Sequence, residues 1–315
     1  MASTELERIA LLAVRFNQGT GAPGGAITTG IGDDAAVLAL ASINAAGRLV
    51  WTVDAQVEGT HFRRSWVSWE DIGWRSFMAA ASDLAAMGAA PVAALSSLVL
   101  ADVSDEDLAA LADGQAAAAK DVGAPIVGGN LARGTETSIT TTLLGSVTRP
   151  VLRSGARPGD RIWLAGAVGR AAAGLVAIAG DVPDIPALAL CKAAWRRPQA
   201  LVRVRSVIEA TSALDVSDGL ARDAGHLAEA SGVVLVLDAA ALHDPVLAEA
   251  ARVLDRDPLE LALGGGEDYA LLATSPTPLE GFVAIGVVEA GAPAVLVLRE
   301  GTRSPAPRSG FDHFG

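Results

Sequence analysis

The chain has 315 residues, of which 51% are hydrophobic and 4% aromatic, and its formal net charge is −12. This length suits two medium-sized domains with cores of their own, and the acidic balance argues against a nucleic-acid partner. A single cysteine, Cys191, excludes an internal disulfide and a four-cysteine zinc site.

Residues 1–16 mix charged and apolar positions in the pattern of an amphipathic helix. A signal peptide would need a basic start and an unbroken apolar run. A stretch of about 18 uncharged apolar residues, which a membrane span requires, does not occur in the sequence. We therefore expect a cytoplasmic protein without a membrane partner.

The first half of the chain alternates between strand and helix patterns. A helix is expected to begin at Ser68, with Asp71 as its capping-box partner, and to stop at Gly88. The predicted elements, in chain order, are strands at 35–40 and 49–53, a helix at 68–87, a strand at 91–100, a helix at 105–122 and strands at 124–127 and 138–147.

A stretch rich in proline, glycine and arginine from Arg149 to Gly159 marks the predicted domain boundary. It divides the chain into an N-terminal domain, 1–149, and a C-terminal domain, 150–315. The elements predicted beyond it are strands at 161–165, 212–215, 233–237, 270–273 and 283–288 and helices at 170–179 and 219–231. Strands and helices intermix in both halves, which predicts an α/β fold in which each domain has its own sheet and helix layers.

Two acidic motifs lie near the N-terminus. Asp33 and Asp34 follow a glycine turn, and a divalent cation would relieve the repulsion between their adjacent charges. Taken alone, that pair is better explained as a solvated surface turn. Thr52 and Val53 lead to Asp54, which is expected to close an apolar strand either as a ligand displayed at the strand end or as an ordinary turn residue.

Asp83 lies in a predicted helix whose neighbours are otherwise apolar or tiny. A buried carboxylate without a partner costs several kcal/mol, and aspartate is a poor residue for a helix interior. No arginine or lysine follows within one turn, so a metal ion is the simplest compensation. The alternative is that Asp83 faces solvent.

Asp215, Ser217 and Asp218 cluster at a predicted junction between a strand and a helix. Backbone N–H groups at a helix N-terminus attract anions and capping side chains. Capping accounts for Ser217 or Asp218 but not for all three polar residues, and a plain N-cap role for Asp218 stays open.

Two glycine runs are predicted to form loops: Gly128-Gly129-Asn130, with Arg133 nearby, and Gly264 to Tyr269, which contains Glu267. Glycines allow a backbone to approach a ligand closely, and they also simply form turns. A P-loop is absent because neither lysine follows a glycine. The four scattered histidines do not suggest a histidine zinc site.

Six segments in this order resemble the thiamine-monophosphate kinase family, which belongs to the PurM-like superfamily of aminoimidazole-ribotide synthetase. The resemblance runs from about Gly30 to the C-terminus, nearly the whole chain. The segments are Gly-Asp-Asp at 32–34, Val-Glu-Gly-Thr-His-Phe at 57–62, Ser-Asp-Leu-Ala-Ala-Met-Gly at 82–88, Asp-Val-Ser-Asp-Gly-Leu at 215–220, Gly-Gly-Glu-Asp-Tyr at 265–269 and Gly-Phe-Asp-His-Phe at 310–314.

This resemblance implies a two-domain PurM-like fold that pairs through its N-terminal domain as a homodimer. It implies direct in-line transfer of the γ-phosphoryl group of ATP to thiamine monophosphate, giving thiamine diphosphate, with several Mg²⁺ ions. An acceptor that is itself a phosphate needs no general base. Positioning and charge neutralisation would then carry the reaction.

The resemblance also assigns roles to residues of this chain. The catalytic carboxylates would be Asp34, Asp54, Asp83, Asp215 and Asp218. The metal ligands would be these five together with Asp33, Thr52, the main chain of Val53, and Asn130, where many relatives carry aspartate. The ATP contacts would be Gly129, Asn130, Arg153 and Ser217. The thiamine contacts would be His61, Glu267 and Phe311, the last suited to lie against a cationic ring.

Two other classes of function stay open. The chain could be another ATP-using enzyme of the superfamily, although selenophosphate synthetase would show a reactive cysteine near the N-terminus and HypE would end in one. It could also be a non-catalytic binder of nucleotide or thiamine phosphate, against which the complete set of aspartates argues.

Overall fold

The computed structural model describes residues 5–20, 27–29, 37–38 and 47–307. Its contacts divide the chain into two compact units. Unit 1 comprises Met1–Leu84 and Ala89–Arg149, and unit 2 comprises Ala85–Gly88 and Pro150–Gly315. None of the described helices combines the length and apolar character that crossing a membrane needs.

Unit 1 contains two sheets among its described residues. A short antiparallel pair joins β1 (Ile27–Thr29) to β2 (Val37–Leu38). The larger sheet has the order β3-β6-β4-β5, in which only the β4–β5 pair is parallel. Its strands are β3 (Arg48–Val57), β4 (Ala90–Leu100), β5 (Ile126–Arg133) and β6 (Ser138–Val147).

Three helices accompany this sheet: α1 (Glu5–Thr20), α2 (Trp69–Ala86) and α3 (Asp105–Val122). The predicted helix at 105–122 is confirmed, because Ser104 caps it by accepting the Asp107 N–H and Gly123 ends it with a φ of 81°. Helices α2 and α3 pack closely: a Cβ added at Gly73 would lie 2.0 Å from the Leu111 carbonyl oxygen.

The described strands of unit 2 form one mixed sheet in the order β13-β12-β9-β11-β7-β10-β8. Only the β12–β9 pair is parallel. In chain order the strands are β7 (Arg161–Ala165), β8 (Ser212–Val216), β9 (Val234–Asp238), β10 (Ala270–Ser275), β11 (Val283–Glu289), β12 (Ala294–Arg299) and β13 (Thr302–Pro305).

The helices of unit 2 cover this sheet with apolar faces. They are α4 (Arg170–Ala179), α5 (Pro186–Arg196), α6 (Leu220–Ser231), α7 (Pro245–Leu254) and α8 (Pro258–Gly264), with a 3-10 helix at Arg205–Glu209. One core runs through them and includes Leu188, Leu220, Leu227 and Leu272. Strands β8 and β10 are buried at every position, so polar residues at their ends are held rigidly.

Candidate active site

In unit 1, strand β3 places Thr52 and Asp54 on one face. Side chains alternate along a strand, so Leu49, Trp51 and Val53 lie on the opposite face, and all three are exposed. The Thr52 hydroxyl donates a short hydrogen bond to the Asp83 carboxylate on α2. The structure therefore brings Thr52 and Asp83 together, with Asp54 two residues further along the same face.

The prediction that Asp54 closes its strand is wrong. Strand β3 continues to Val57, because every residue from Arg48 to Val57 has a partner in β6. Asp54 therefore lies within the antiparallel ladder, opposite Thr141, where the regular pleat fixes the direction of its side chain.

Asp83 is half-buried on α2, between the fully buried Ser82 and Leu84. The hydrogen bond from Thr52 directs its carboxylate towards β3. This hydrogen bond gives the Asp83 carboxylate a partner and so helps to offset the cost of placing it in an apolar helix.

The prediction of a loop at Gly128-Gly129-Asn130 is also wrong, because these residues lie in β5. The glycines serve strand pairing there: a Cβ added at Gly129 would lie 1.8 Å from the carbonyl oxygen of Ser96 in β4. The sequence left open whether these glycines approach a ligand or form a turn, and in the structure the close approach of Gly129 is to the neighbouring strand. Asn130 and Arg133 are exposed further along β5.

His61 belongs to a compact turn after β3. Its Nδ1 accepts the Val57 N–H at 3.1 Å, and its own N–H donates to the Val57 carbonyl at 2.9 Å. With Nδ1 as an acceptor, the neutral ring carries its proton on Nε2. The turn also orders Glu58, which forms an ion pair with Arg64 at 2.7 Å.

In unit 2, Asp215 lies one residue before the end of β8, which continues to Val216, and only 7% of its surface is exposed. Ser217 and Asp218 follow in the turn that leads into α6. Gly219 is the N-cap of α6 and supplies no side-chain cap. The alternative in which Asp218 is a plain N-cap is therefore wrong.

A residue that the sequence analysis did not single out organises this turn. Oδ2 of Asp223, in the first turn of α6, accepts the N–H groups of Ser217, Asp218 and Gly219 at 3.0, 3.0 and 3.1 Å. Burial raises the pKa of Asp223 to about 6, although the three N–H groups oppose that shift. From the sequence, the backbone N–H groups at this helix N-terminus were candidates for binding an external anion. In the structure they donate to the carboxylate of Asp223.

Carboxylate and imidazole atoms also come together here. One possible ligand atom from each of Asp218, Asp223 and His226 lies within 4.8 Å of the others. Asp218 also forms an ion pair with Arg222 at 3.6 Å.

The glycine run at 264–266 continues into a segment that packs against this turn. The N–H groups of Glu267 and Tyr269 donate to the carbonyls of Ser217 and Val216 at 2.8 and 2.9 Å. A Cβ added at Gly266 would lie 2.4 Å from the Ser217 carbonyl oxygen. Two motifs separated by about fifty residues are therefore joined directly through their backbones.

Glu267 and Tyr269 have φ values of 64° and 51°. Residues other than glycine rarely adopt this left-handed region, and such residues cluster at functional sites. The Glu267 carboxylate accepts a hydrogen bond of 2.6 Å from the indole N–H of Trp195 on α5. Its direction is thereby set by a fully buried aromatic ring.

Asp268, between them, secures the segment to the N-terminus of α4. Its carboxylate accepts the N–H groups of Gly169 and Ala171 at 2.6 and 2.9 Å. Burial raises the pKa of Asp268 to about 7 despite these contacts.

The remaining predicted site residues divide into two groups. Arg153 is exposed in unit 2, where its carbonyl accepts a hydrogen bond from Ser231. Asp33, Asp34 and Phe311 lie outside the described residues.

The chain is similar in sequence to a known protein family and to known proteins. The model of "AIR synthase related protein, N-terminal domain" matches residues 32–147. A thiamine-monophosphate kinase from Mycobacterium tuberculosis is 35% identical over 278 residues, which cover 86% of this chain and 82% of the relative.

Two solved structures extend the similarity to the fold. The structure described as AaThiL complexed with AMPPCP and TMP has a TM-score of 0.80 at 33% identity and covers 85% of this chain and 88% of its own. Thiamine-monophosphate kinase from Stenotrophomonas maltophilia has a TM-score of 0.81 at 31% identity and covers 96% and 99%. These matches confirm the family resemblance and the α/β, PurM-like fold expected from the sequence.

Proposed function

We propose that this chain, which belongs to the thiamine-monophosphate kinase family, catalyses the ATP-dependent phosphorylation of thiamine monophosphate to thiamine diphosphate. The observation that carries the proposal is the fold-wide similarity to a relative solved with an ATP analogue and TMP. The chemistry of the described motifs supports it, because their carboxylates and hydroxyls are the oxygen ligands that a metal-assisted phosphoryl transfer needs.

Magnesium fits the donor set. Mg²⁺ prefers carboxylate and other oxygen ligands, and the described residues offer the Thr52–Asp83 pair, Asp54, Asp215 and Asp218. With Mg²⁺ bound, the charge of the two phosphate groups that must approach each other would be offset. We infer that these residues hold the metal with Asp33, Asp34, the main chain of Val53, and Asn130.

The other proposed contacts position the two substrates. We infer that Gly129, Asn130, Arg153 and Ser217 contact ATP, and that His61, Glu267 and Phe311 contact the thiamine moiety. Glu267 suits an aminopyrimidine because its carboxylate is already oriented by Trp195. The acceptor phosphate is an anion, so no side chain has to remove a proton, and the transfer proceeds in line without a covalent enzyme intermediate.

The proposed activity predicts a defined set of products. Phosphorus NMR of the protein with ATP, Mg²⁺ and thiamine monophosphate is expected to show ADP and thiamine diphosphate without free phosphate, and no turnover with EDTA. ADP with free phosphate would instead indicate that ATP is hydrolysed and that its γ-phosphoryl group is not transferred to thiamine monophosphate. Binding of both substrates without turnover would indicate a non-catalytic binder.

A homodimer is supported by the open face of β3. Leu49, Trp51 and Val53 are 51%, 74% and 63% exposed in a row along this strand, and such an apolar stripe on a sheet face is typical of a protein interface. We infer that two copies pair through this face.

The matched variants Trp51→Lys and Leu190→Lys test the dimer, since Leu190 is an exposed apolar residue on α5 of unit 2. Light scattering is expected to report a dimer for the native protein and for Leu190→Lys and a monomer for Trp51→Lys. A native monomer, or a Trp51→Lys dimer, would contradict this interface. The cytoplasmic location stays a prediction from the sequence.

A further inference from the structure

The carboxylate of Asp223 is buried, with 5% of the residue's surface exposed, in the first turn of α6. A single oxygen, Oδ2, receives three consecutive backbone N–H groups, from Ser217, Asp218 and Gly219, all within 3.1 Å. Three donors on one carboxylate oxygen are charge-assisted bonds of the stronger kind. They fix three successive peptide units at once.

The opposite side of the same turn is held as well. The Val216 and Ser217 carbonyls accept the N–H groups of Tyr269 and Glu267 at 2.9 and 2.8 Å. The turn thus lies between Asp223, whose carboxylate accepts its N–H groups, and the segment 267–269, whose N–H groups donate to the carbonyl of Ser217 and to that of the preceding Val216. Its backbone has little freedom while both sets of bonds exist.

We propose that Asp223 is a positioning residue for phosphoryl transfer, whose carboxylate fixes the Ser217–Gly219 turn so that Ser217 meets ATP and Asp218 meets Mg²⁺. This inference rests on the proposed function. Asp223 acts through the backbone of its neighbours and does not touch the substrates. A misplacement of the turn by about 1 Å would lower the rate by about 10²-fold.

The competing role for Asp223 is that of a metal ligand with Asp218 and His226, whose ligand atoms lie within 4.8 Å of it. The hydrogen bonds argue against that role for Oδ2 and leave Oδ1 as the oxygen that could ligate a metal. Oδ2 already faces three N–H groups, whose positive ends would repel a cation at the same oxygen. The two roles make different demands on chemistry, because positioning needs an acceptor oxygen whereas ligation is favoured by a negative charge.

The pair Asp223→Asn and Asp223→Ala separates these roles. Asparagine keeps an oxygen that can accept the N–H groups, and alanine keeps none. Glu229→Gln is the matched control, since it removes an exposed carboxylate from the same helix. The measurements are kcat and KM for MgATP, the Mg²⁺ concentration that gives half the maximal rate, and hydrogen exchange of the Ser217–Gly219 amides.

We expect Asp223→Ala to lose about 10²-fold in kcat/KM for MgATP and to expose the three amides to rapid exchange. Asp223→Asn is expected to stay within about tenfold of the native protein, with an unchanged Mg²⁺ requirement and protected amides. Glu229→Gln should match the native protein in every readout.

The proposal is overturned if Asp223→Asn loses more than about 10²-fold while its Mg²⁺ requirement rises, and His226→Ala would then share that rise. Native kinetics in Asp223→Ala would overturn it equally. If Asp223→Ala does not fold, the kcat/KM and the Mg²⁺ requirement of Asp223→Asn decide between positioning and metal ligation. If the native protein does not convert thiamine monophosphate, the proposed function fails, and rapid exchange of the three amides in the native protein would separately refute the placement of Asp223.

Discussion

Replacing Gly266 with alanine tests whether two segments of unit 2, the turn at Ser217 and the glycine run at 264–266, must share one tightly packed backbone interface. The added Cβ would lie 2.4 Å from the carbonyl oxygen of Ser217, and Cβ contacts below 3.0 Å essentially do not occur. Either the Ser217 peptide or the Gly266 backbone must therefore move by at least about 0.6 Å, the difference between these two distances. Neither atom belongs to a flexible side chain that could turn away.

The size of the effect follows from where that movement occurs. Overpacking of a close contact costs about 1–3 kcal/mol of stability. The same movement displaces Ser217, which we propose contacts ATP, and the neighbouring Asp218, which we propose holds metal. A displacement of this order is expected to lower kcat/KM by about tenfold or more.

Gly225→Ala provides the control, because a Cβ at Gly225 meets no described atom within 4 Å. It lies in α6, where alanine is favoured over glycine by about 0.5–1 kcal/mol. Chemical denaturation and steady-state kinetics with ATP and thiamine monophosphate should show Gly266→Ala impaired in both and Gly225→Ala active and slightly more stable. Native stability and turnover in Gly266→Ala would refute the reasoning.

Three further outcomes are expected. Asp83→Asn should abolish turnover and leave the thermal unfolding transition in place, since the amide keeps the volume but loses the charge that metal binding needs; full activity would remove the role proposed for Asp83. Burial of Cys191 raises the pKa of its thiol to about 11. Iodoacetamide at neutral pH should therefore label the native protein far more slowly than the urea-unfolded chain. Equal labelling rates would contradict the burial of Cys191. Burial raises the pKa of Asp268 from 3.8 to about 7, so the folded state binds its proton more tightly. The contribution of Asp268 to the free energy of unfolding should therefore fall as the pH rises between these values, by at most about 1.4 kcal/mol per pH unit. Denaturant titration should show a smaller loss of stability with rising pH in Asp268→Asn than in the native protein, and the same loss in both would show that Asp268 is not a cause.

Local signals in the sequence were sufficient for elements whose caps and periodicity agree. The helix at 105–122 has a serine cap, three acids in its first turn and a glycine at its end, and the predicted and observed bounds coincide. The helices α5, α7 and α8 went unassigned although each carries proline at its start. Proline at the first helical position is a helix-start signal, and Asp244 and Asp257 before α7 and α8 are N-caps.

The site was harder to predict, because its geometry depends on pairing between distant segments. In the sequence, Gly129 is a candidate for close approach to a ligand. Only the register of β5 against β4 shows that its backbone lies close to Ser96. Asp54 seemed to end a strand because the ladder with β6 is not visible in the sequence. The contacts made by Asp223, Asp268 and Trp195 likewise join residues whose partners only the fold supplies.

The central claim is that the γ-phosphoryl group passes directly from ATP to the phosphate of thiamine monophosphate. A single-turnover reaction with γ-labelled ATP, Mg²⁺ and excess protein tests it most directly, with quenched samples separated into thiamine diphosphate, free phosphate and protein. We predict that the label appears in thiamine diphosphate at the rate at which ADP forms. Label that enters the protein first, or that is released as free phosphate, would contradict direct transfer.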